Sequence, residues 1–521
     1  MTNFKIKLTC WQQENSLTTE FNYEPSKYER STIIRLAKQF HTLIESIIAY
    51  PEATVGELTI LDRQQTDRLL IEFNNHKADY SQDRCIHQLF EVQAAKTPDN
   101  IAVICDSEAI TYSELNQKAD LIANYLRRKG VKSETLIGLY LERSIHAIVG
   151  LLAILKAGAA YIPLDPALPS AGLTFRLQDA GVSVLLTQRS LATQISSKIE
   201  HLICIDTDWE TIETENQNTS QEEVKPNNFL AYAIYTSGST GTPKAVGVEH
   251  QQLTNYVYSI IDRLNISFKA NFATVSTLAA DLGNTMLFPA LCTGGCLHII
   301  PQNTASDPQK FNNYCQRHSI DYLKIVPSHL SALLASSKSA EFLPQKQLIL
   351  GGEASNWDLI AKIQQQKPNC EIFNHYGPTE TTVGVLTYKI DRETRRVGNG
   401  FSHTVPIGKP LANSQVYILD QQLQLVPLGV SGELYIGGAQ VSRGYLNRPE
   451  LTTERFIKNP FENEGMKDRL YKTGDRARYL PALKDTASHN GNIEFLGRID
   501  RQVKIRGFRI ELGEIETTAA P

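Results

Sequence analysis

Apolar positions along the chain follow two periodicities that alternate through its middle. At 29–48 they recur at helical spacing (Ile33, Ile34, Leu36, Ala37, Phe40, Leu43, Ile44, Ile47), the pattern of an amphipathic helix. Short apolar runs at 101–104, 136–141 and 182–186 are separated by helical patterns at 112–128 and 144–156. Strand and helix in alternation predict βαβ units, hence an α/β fold with largely parallel sheets flanked by helices. The run 229–235 predicts another buried strand. Beyond about 395 the texture changes to short, glycine-punctuated strands, 415–419 and 432–437, which predict a smaller β-rich subdomain. At the other end, 21–23 is strand-like, and the polar stretch 74–84 reads as a linker.

Composition narrows the field. The chain has 521 residues, 41% hydrophobic and 21% charged, with a net charge of −4. That length suggests two to four domains or subdomains, and the small net charge implies no nucleic-acid partner. The longest apolar stretch, 147–155, is interrupted by Gly150 and falls far short of the ~18–20 residues of a membrane span. Eight cysteines lie scattered without a CxxC pair, and Cys292 and Cys296 have no histidine cluster beside them, so reduced thiols and a cytoplasmic setting are expected.

The predicted strand at 229–235 runs into Tyr235-Thr236-Ser237-Gly238-Ser239-Thr240-Gly241-Thr242-Pro243-Lys244. Glycines let backbone N–H groups approach a polyphosphate, hydroxyls donate hydrogen bonds to it, and lysine supplies positive charge. Thr242-Pro243 separates Gly241 from Lys244, so this is not a Walker loop. Further polar clusters follow in order: Asn374-His375-Tyr376-Gly377-Pro378-Thr379-Glu380-Thr381, Gly432-Glu433-Leu434, Tyr471-Lys472-Thr473-Gly474-Asp475, and Gly497-Arg498-Ile499-Asp500-Arg501-Gln502-Val503-Lys504-Ile505-Arg506-Gly507.

The ordered set, together with Ile110-Thr111-Tyr112-Ser113-Glu114-Leu115 and the segment from Leu155-Lys156-Ala157-Gly158 to Asp165, resembles the adenylation domains of nonribosomal peptide synthetases over about residues 85–521. The resemblance implies an adenylate-forming core of two α/β subdomains (76–395) and a small β-barrel-like subdomain (396–497). Residues 498–521 would be the hinge, at Asp500, and the start of a largely absent C-terminal lid. Residues 1–75 resemble the tail and linker of an upstream condensation domain, without its double-histidine motif.

The reaction so implied is ATP- and Mg²⁺-dependent activation of an amino acid as aminoacyl-AMP, for loading onto phosphopantetheine of a partner carrier domain. Thr236, Ser237, Gly238, Ser239, Thr240, Gly241 and Lys244 would hold the β- and γ-phosphates. Thr379 would reach the α-phosphate and Glu380 would bind Mg²⁺. Asn374 and Tyr376 would flank adenine, while Asp475, with Arg498 nearby, would take the ribose hydroxyls. The acceptor pocket carried over is Asp281, Leu282, Thr285, Lys324, Ile349, Gly351, His375, Val383 and Gly384. Asp281 matches the residue that pairs with a substrate ammonium. Lys324 lies between apolar neighbours Leu323 and Ile325, and a buried lysine needs an anion. With His375 facing the same space, a small acidic side chain is expected, and the set resembles that of aspartate-activating domains. L-Aspartate or a β-substituted relative is therefore the expected substrate.

Two departures accompany this: Ala245 follows the loop lysine where glycine is usual, and Ala280 replaces the usual aromatic before Asp281. With the lid largely absent, the chain is expected to bind ATP and amino acid but adenylate weakly. An acyl- or aryl-CoA ligase, an adenylation domain for another amino acid, and a nucleotide-binding scaffold remain as other readings.

Overall fold

A computed structural model of the chain describes residues 5–14, 16–80, 84–195, 199–215, 228–238, 241–336, 340–391, 404–461, 469–481 and 491–519. Two large sheets dominate. The first has seven strands in the order Gly444–Tyr445, Lys244–Glu249, Leu230–Thr236, Ala160–Leu164, Leu136–Tyr140, Val184–Thr187, His201–Cys204. The second has nine: Lys409–Pro410, Leu386–Ile390, Glu371–Tyr376, Gln347–Gly351, Tyr322–Ile325, Asn271–Thr274, Cys296–Ile299, Ile101–Cys105 and Glu108–Thr111.

The expected alternation is present. A helix spans Tyr112–Arg128, opened by a capping box in which Thr111 Oγ1 accepts from the Glu114 N–H and the Glu114 carboxylate accepts from the Thr111 N–H. The helix Ile145–Lys156 is buried at every position but His146, with Ser144 as its N-cap. Its sequence is apolar on nearly every side because it packs against strands of both sheets.

The sheets are more mixed than the alternation predicts. In the seven-stranded sheet, Leu230–Thr236 and Lys244–Glu249 pair antiparallel, so the glycine-rich loop joins two strands of a hairpin and does not lead into a helix. In the nine-stranded sheet the run from Ile101–Cys105 to Glu371–Tyr376 is parallel, and Leu386–Ile390 then returns antiparallel. Lys324 lies in a central strand, in register with Thr274 and Ile349. His375 lies beside Gly351 one strand further along. These residues stand at the carboxyl ends of parallel strands, where ligands collect in open α/β sheets.

The predicted β-rich part is a five-stranded antiparallel sheet built from Ser414–Leu419, Gly432–Gly438, Arg469–Tyr479, Phe456–Lys458 and Ile493–Arg498. A small hairpin, Val503–Ile505 with Phe508–Ile510, follows it. At the N-terminus Ser16–Tyr23 pairs with Ile6–Gln13, a strand whose mixed polar sequence gave no periodic signal. The helix foreseen at 29–48 spans Arg30–Ala49.

The polar segment from 74 is firmly tied down. Asn74 Nδ2 donates to the carbonyls of Leu69 and Val416 at 3.2 and 3.1 Å, and its Oδ1 accepts from the Val416 N–H at 2.8 Å. Phe73 packs on Tyr479 with ring centroids 5.0 Å apart. Ala78 and Asn413 exchange two further hydrogen bonds, at 2.9 and 2.8 Å.

Candidate functional site

A cavity of about 840 Å³ opens between the two large sheets and the C-terminal hairpin. It brings together Thr236 and Ser237 of the glycine-rich loop, Asp281 and Leu282, Lys324, His375, Thr379, Val383, and Asp475 with Arg498. All of these positions were foreseen from the sequence, where they lie scattered between the glycine-rich loop and the final motif.

The acidic end is built by a tight turn. Asp281 opens the 3₁₀ segment Asp281–Gly283. Its Oδ1 accepts from the Thr379 hydroxyl at 3.4 Å and its Oδ2 from the Val383 N–H at 3.3 Å. Thr382 and Val383 both have left-handed backbones, with φ of 59° and 64°. Consecutive β-branched residues in that region carry strain, and it aims the Val383 N–H at the carboxylate. Gly384 is required by space: a Cβ there would sit 2.2 Å from His375 Nε2.

Lys324 forms the opposite wall. Only 2% of it is exposed, and its Nζ donates to Thr285 Oγ1 and to His375 Nδ1, both at 2.7 Å. A protonated lysine only donates, so His375 Nδ1 is the acceptor; its Nε2 is buried without a partner among the described residues. Thr285 is fixed in turn by the Tyr256 hydroxyl at 2.6 Å, a residue the sequence did not single out. Burial pushes Lys324 down to about 7 against the opposing pull of Asp281, and pushes Asp281 up to about 6 against the pull of Lys324. Burial, reinforced by Lys324, holds His375 well below its usual range, so it is neutral. Ile349 is fully buried in the strand beside Lys324, and a Cβ on Gly351 would lie 3.3 Å from Lys324 Cε. These two positions support Lys324 from behind rather than line the cavity.

The loop end is compact. Gly241 donates its N–H to Gly238 O at 2.9 Å, and a Cβ on Gly238 would collide with Thr242 O. Ser237 Oγ is buried without a partner among the described residues and lines the cavity, a donor suited to a phosphate oxygen. Ser239 and Thr240 lie outside the described residues. Lys244 is buried and does not line the cavity: its Nζ lies 4.4 Å from the Tyr445 ring centroid, and burial pushes it down to about 8.

Glu380 is fully buried and accepts from the Tyr445 hydroxyl at 2.8 Å. Both of its oxygens also accept from Arg509, at 2.8 and 2.9 Å. Arg509 and Lys244 outweigh the cost of burial and hold Glu380 down to about 2. Sequence reasoning missed Arg509: it stands two residues past the last glycine of the final motif, and only the fold of the Val503–Ile505/Phe508–Ile510 hairpin brings it across the cavity.

At the remaining wall, Asp475 accepts from Arg498 Nη1 at 2.7 Å and from the Tyr376 hydroxyl. Arg498 also forks onto the exposed Asp500, at 2.7 and 2.5 Å. Tyr376 and Asn374 line a small adjoining space of about 50 Å³. There Asn374 Nδ2 is already engaged by the carbonyls of Val405 and Pro406, at 3.3 and 2.8 Å.

Comparison with known proteins gives a consistent picture. Residues 90–446 match the AMP-binding enzyme family and residues 1–70 the condensation domain family. Bacitracin synthase 1 of Bacillus licheniformis is 38% identical over 99% of this chain, and gramicidin S synthase 2 of Brevibacillus brevis 37% over 98%. The chain spans only 10% and 11% of those two proteins. It superposes on a four-domain nonribosomal peptide synthetase bound to AMP and glycine with a TM-score of 0.81 and 31% identity, covering 99% of this chain and 37% of that one. An artificially fused adenylation–PCP di-domain from Klebsiella oxytoca aligns with a TM-score of 0.73 and 27% identity over 84% of each chain.

Proposed function

The chain belongs to the AMP-binding enzyme family, its first residues matching the condensation domain, and on that premise we propose that it activates L-aspartate, or a β-substituted aspartate, with ATP. The product is aminoacyl-AMP, destined for a phosphopantetheinyl carrier in cytoplasmic nonribosomal peptide synthesis. The observation that carries the substrate is Lys324, a buried ammonium whose hydrogen-bond partners Thr285 and His375 are both neutral. A substrate β-carboxylate completes it, and Asp281 across the cavity receives the α-ammonium. A fatty or aryl acid has no ammonium and would leave Asp281 unpaired.

The chemistry is one in-line displacement. A substrate carboxylate oxygen forms a bond to the α-phosphorus, the α–β phosphoanhydride bond breaks, and pyrophosphate leaves with the electron pair. The protein positions the two ends and stabilises charge. Ser237 and the loop N–H groups meet the phosphates, Thr379 reaches the α-phosphate, and Asp475 takes the ribose. Mg²⁺ would neutralise phosphate charge, and Glu380 is the carboxylate suited to hold it.

Arg509 occupies that carboxylate, so cation and guanidinium compete for it. Arg509→Ala is expected to lower the Mg²⁺ concentration needed for half-maximal ATP binding by about tenfold, the worth of a charge-assisted hydrogen bond. An Mg²⁺ titration of ATP binding by calorimetry checks this, and an unchanged midpoint would refute the competition.

Calorimetry with non-hydrolysable aminoacyl-adenylate analogues bearing Asp, Asn, Glu, Leu and Phe side chains tests the substrate. The Asp analogue is expected to bind at least about a hundredfold tighter than Asn, and about 1–3 kcal/mol better than Glu. A Leu or Phe analogue binding best would end the aspartate reading and leave the family intact.

A further inference from the structure

Outside the cavity, three side chains that bind borderline and soft metals converge in the core. Cys85 is the N-cap of the helix Ile86–Lys96, His87 lies in that helix's first turn, and His250 opens the helix His250–Arg263. One donor atom from each lies within 4.8 Å of the other two. Exposure is 1% for Cys85 and 4% for each histidine. The imidazoles meet edge to face with centroids 5.4 Å apart. His250 Nδ1 has a long contact, 3.4 Å, from the Ile86 N–H. His87 Nδ1 is buried with no hydrogen-bond partner among the described residues, a cost of about 1–3 kcal/mol unless something binds there.

We infer that Cys85, His87 and His250 form a structural metal site for an ion of the Zn²⁺ class. His87 offers its unpartnered Nδ1, and His250 binds by exchanging the long contact from the Ile86 N–H for the ion. Cys85 binds as thiolate: the S–H bond breaks, a sulfur–zinc bond forms from the same electron pair, and one proton passes to buffer. Tetrahedral zinc, with bonds of about 2.0–2.3 Å, sets ligand atoms about 3.5 Å apart, so donor atoms within 4.8 Å of one another need close by little more than about an ångström at most. Thiolate and imidazole favour Zn²⁺ over Mg²⁺, which separates this site from the nucleotide's cation. None of the three residues lines the cavity. The ion would clamp together the starts of two helices that lie far apart in sequence.

The test is metal analysis of tag-free protein expressed with added zinc. About one zinc per chain is expected, falling below about a tenth in Cys85→Ser and in His87→Asn. Nucleotide binding by each variant shows that it is folded. Independently, the unmutated chain reconstituted with Co²⁺ after chelation should show a thiolate-to-cobalt charge-transfer band. Zinc content indistinguishable between the unmutated chain and both variants would overturn the proposal. So would absence of the cobalt band, leaving a packed pair of neutral imidazoles.

Discussion

Asp281→Ala is expected to weaken every aminoacyl-adenylate analogue by hundreds- to thousands-fold while ATP affinity stays within a few fold. The magnitude follows from leaving an ammonium buried and uncompensated, about 3–5 kcal/mol. Asp281 is 8% exposed and Lys324, its electrostatic counterpart, 2%, so neither charge has water to fall back on. The carboxylate also receives the Val383 N–H and the Thr379 hydroxyl, so its removal relaxes the strained turn as well. Asp281→Asn separates the two roles. It keeps an acceptor for the turn and loses the charge, and it should lose nearly as much analogue affinity as alanine does. Calorimetry of both variants with ATP and with the Asp and Leu analogues decides the matter. Retention of analogue binding by Asp281→Asn would show that the charge is not what holds the amino acid.

Lys324→Met should erase the choice of Asp over Asn. The Asp analogue is expected to lose about two to three orders of magnitude, because its β-carboxylate would be buried opposite a thioether, whereas the Asn analogue changes little. Methionine fills much the same volume, so Thr285 and His375 lose a donor without gaining a void. The pH dependence adds a second signature. Asp281, raised to about 6, is ionised only above that value; Lys324, lowered to about 7, is charged only below it. Affinity for the Asp analogue should therefore rise with pH through about 6 and fall through about 7, two apparent values belonging to the coupled pair. Asn, which needs Asp281 but not the charge on Lys324, should show the rising limb alone. A bell-shaped profile for both analogues, or for neither, would contradict these roles.

The alternation of helix and strand was legible because tertiary packing agrees with local pattern there: 112–128 has both its capping box and its apolar stripe in the sequence. Lys324 was legible for the same reason, a charge set among residues that only a buried strand wants. Other features were invisible in principle. Nothing local marks Thr382 and Val383 for left-handed backbones, since β-branched residues avoid them; the turn is held by Gln440 and Asp281, both remote in sequence. The partnership of Arg509 with Glu380 depends on how a terminal hairpin crosses the cavity, and periodicity carries no information on that. The glycine-rich loop was foreseen for its composition, but the antiparallel strand that follows it was not, because 244–249 has a charge at each end and a glycine inside and shows no clear period.

The fastening of Asn74 to Val416 has a mechanical consequence. Its two hydrogen bonds to the Val416 backbone, with Phe73 packed on Tyr479, bolt the end of the N-terminal segment to the five-stranded sheet. A fluorophore on the helix Arg63–Leu70, which runs directly into that anchor, would thus read the tilt of that sheet against the parallel layers, as a pointer reads the turning of the shaft to which it is fixed.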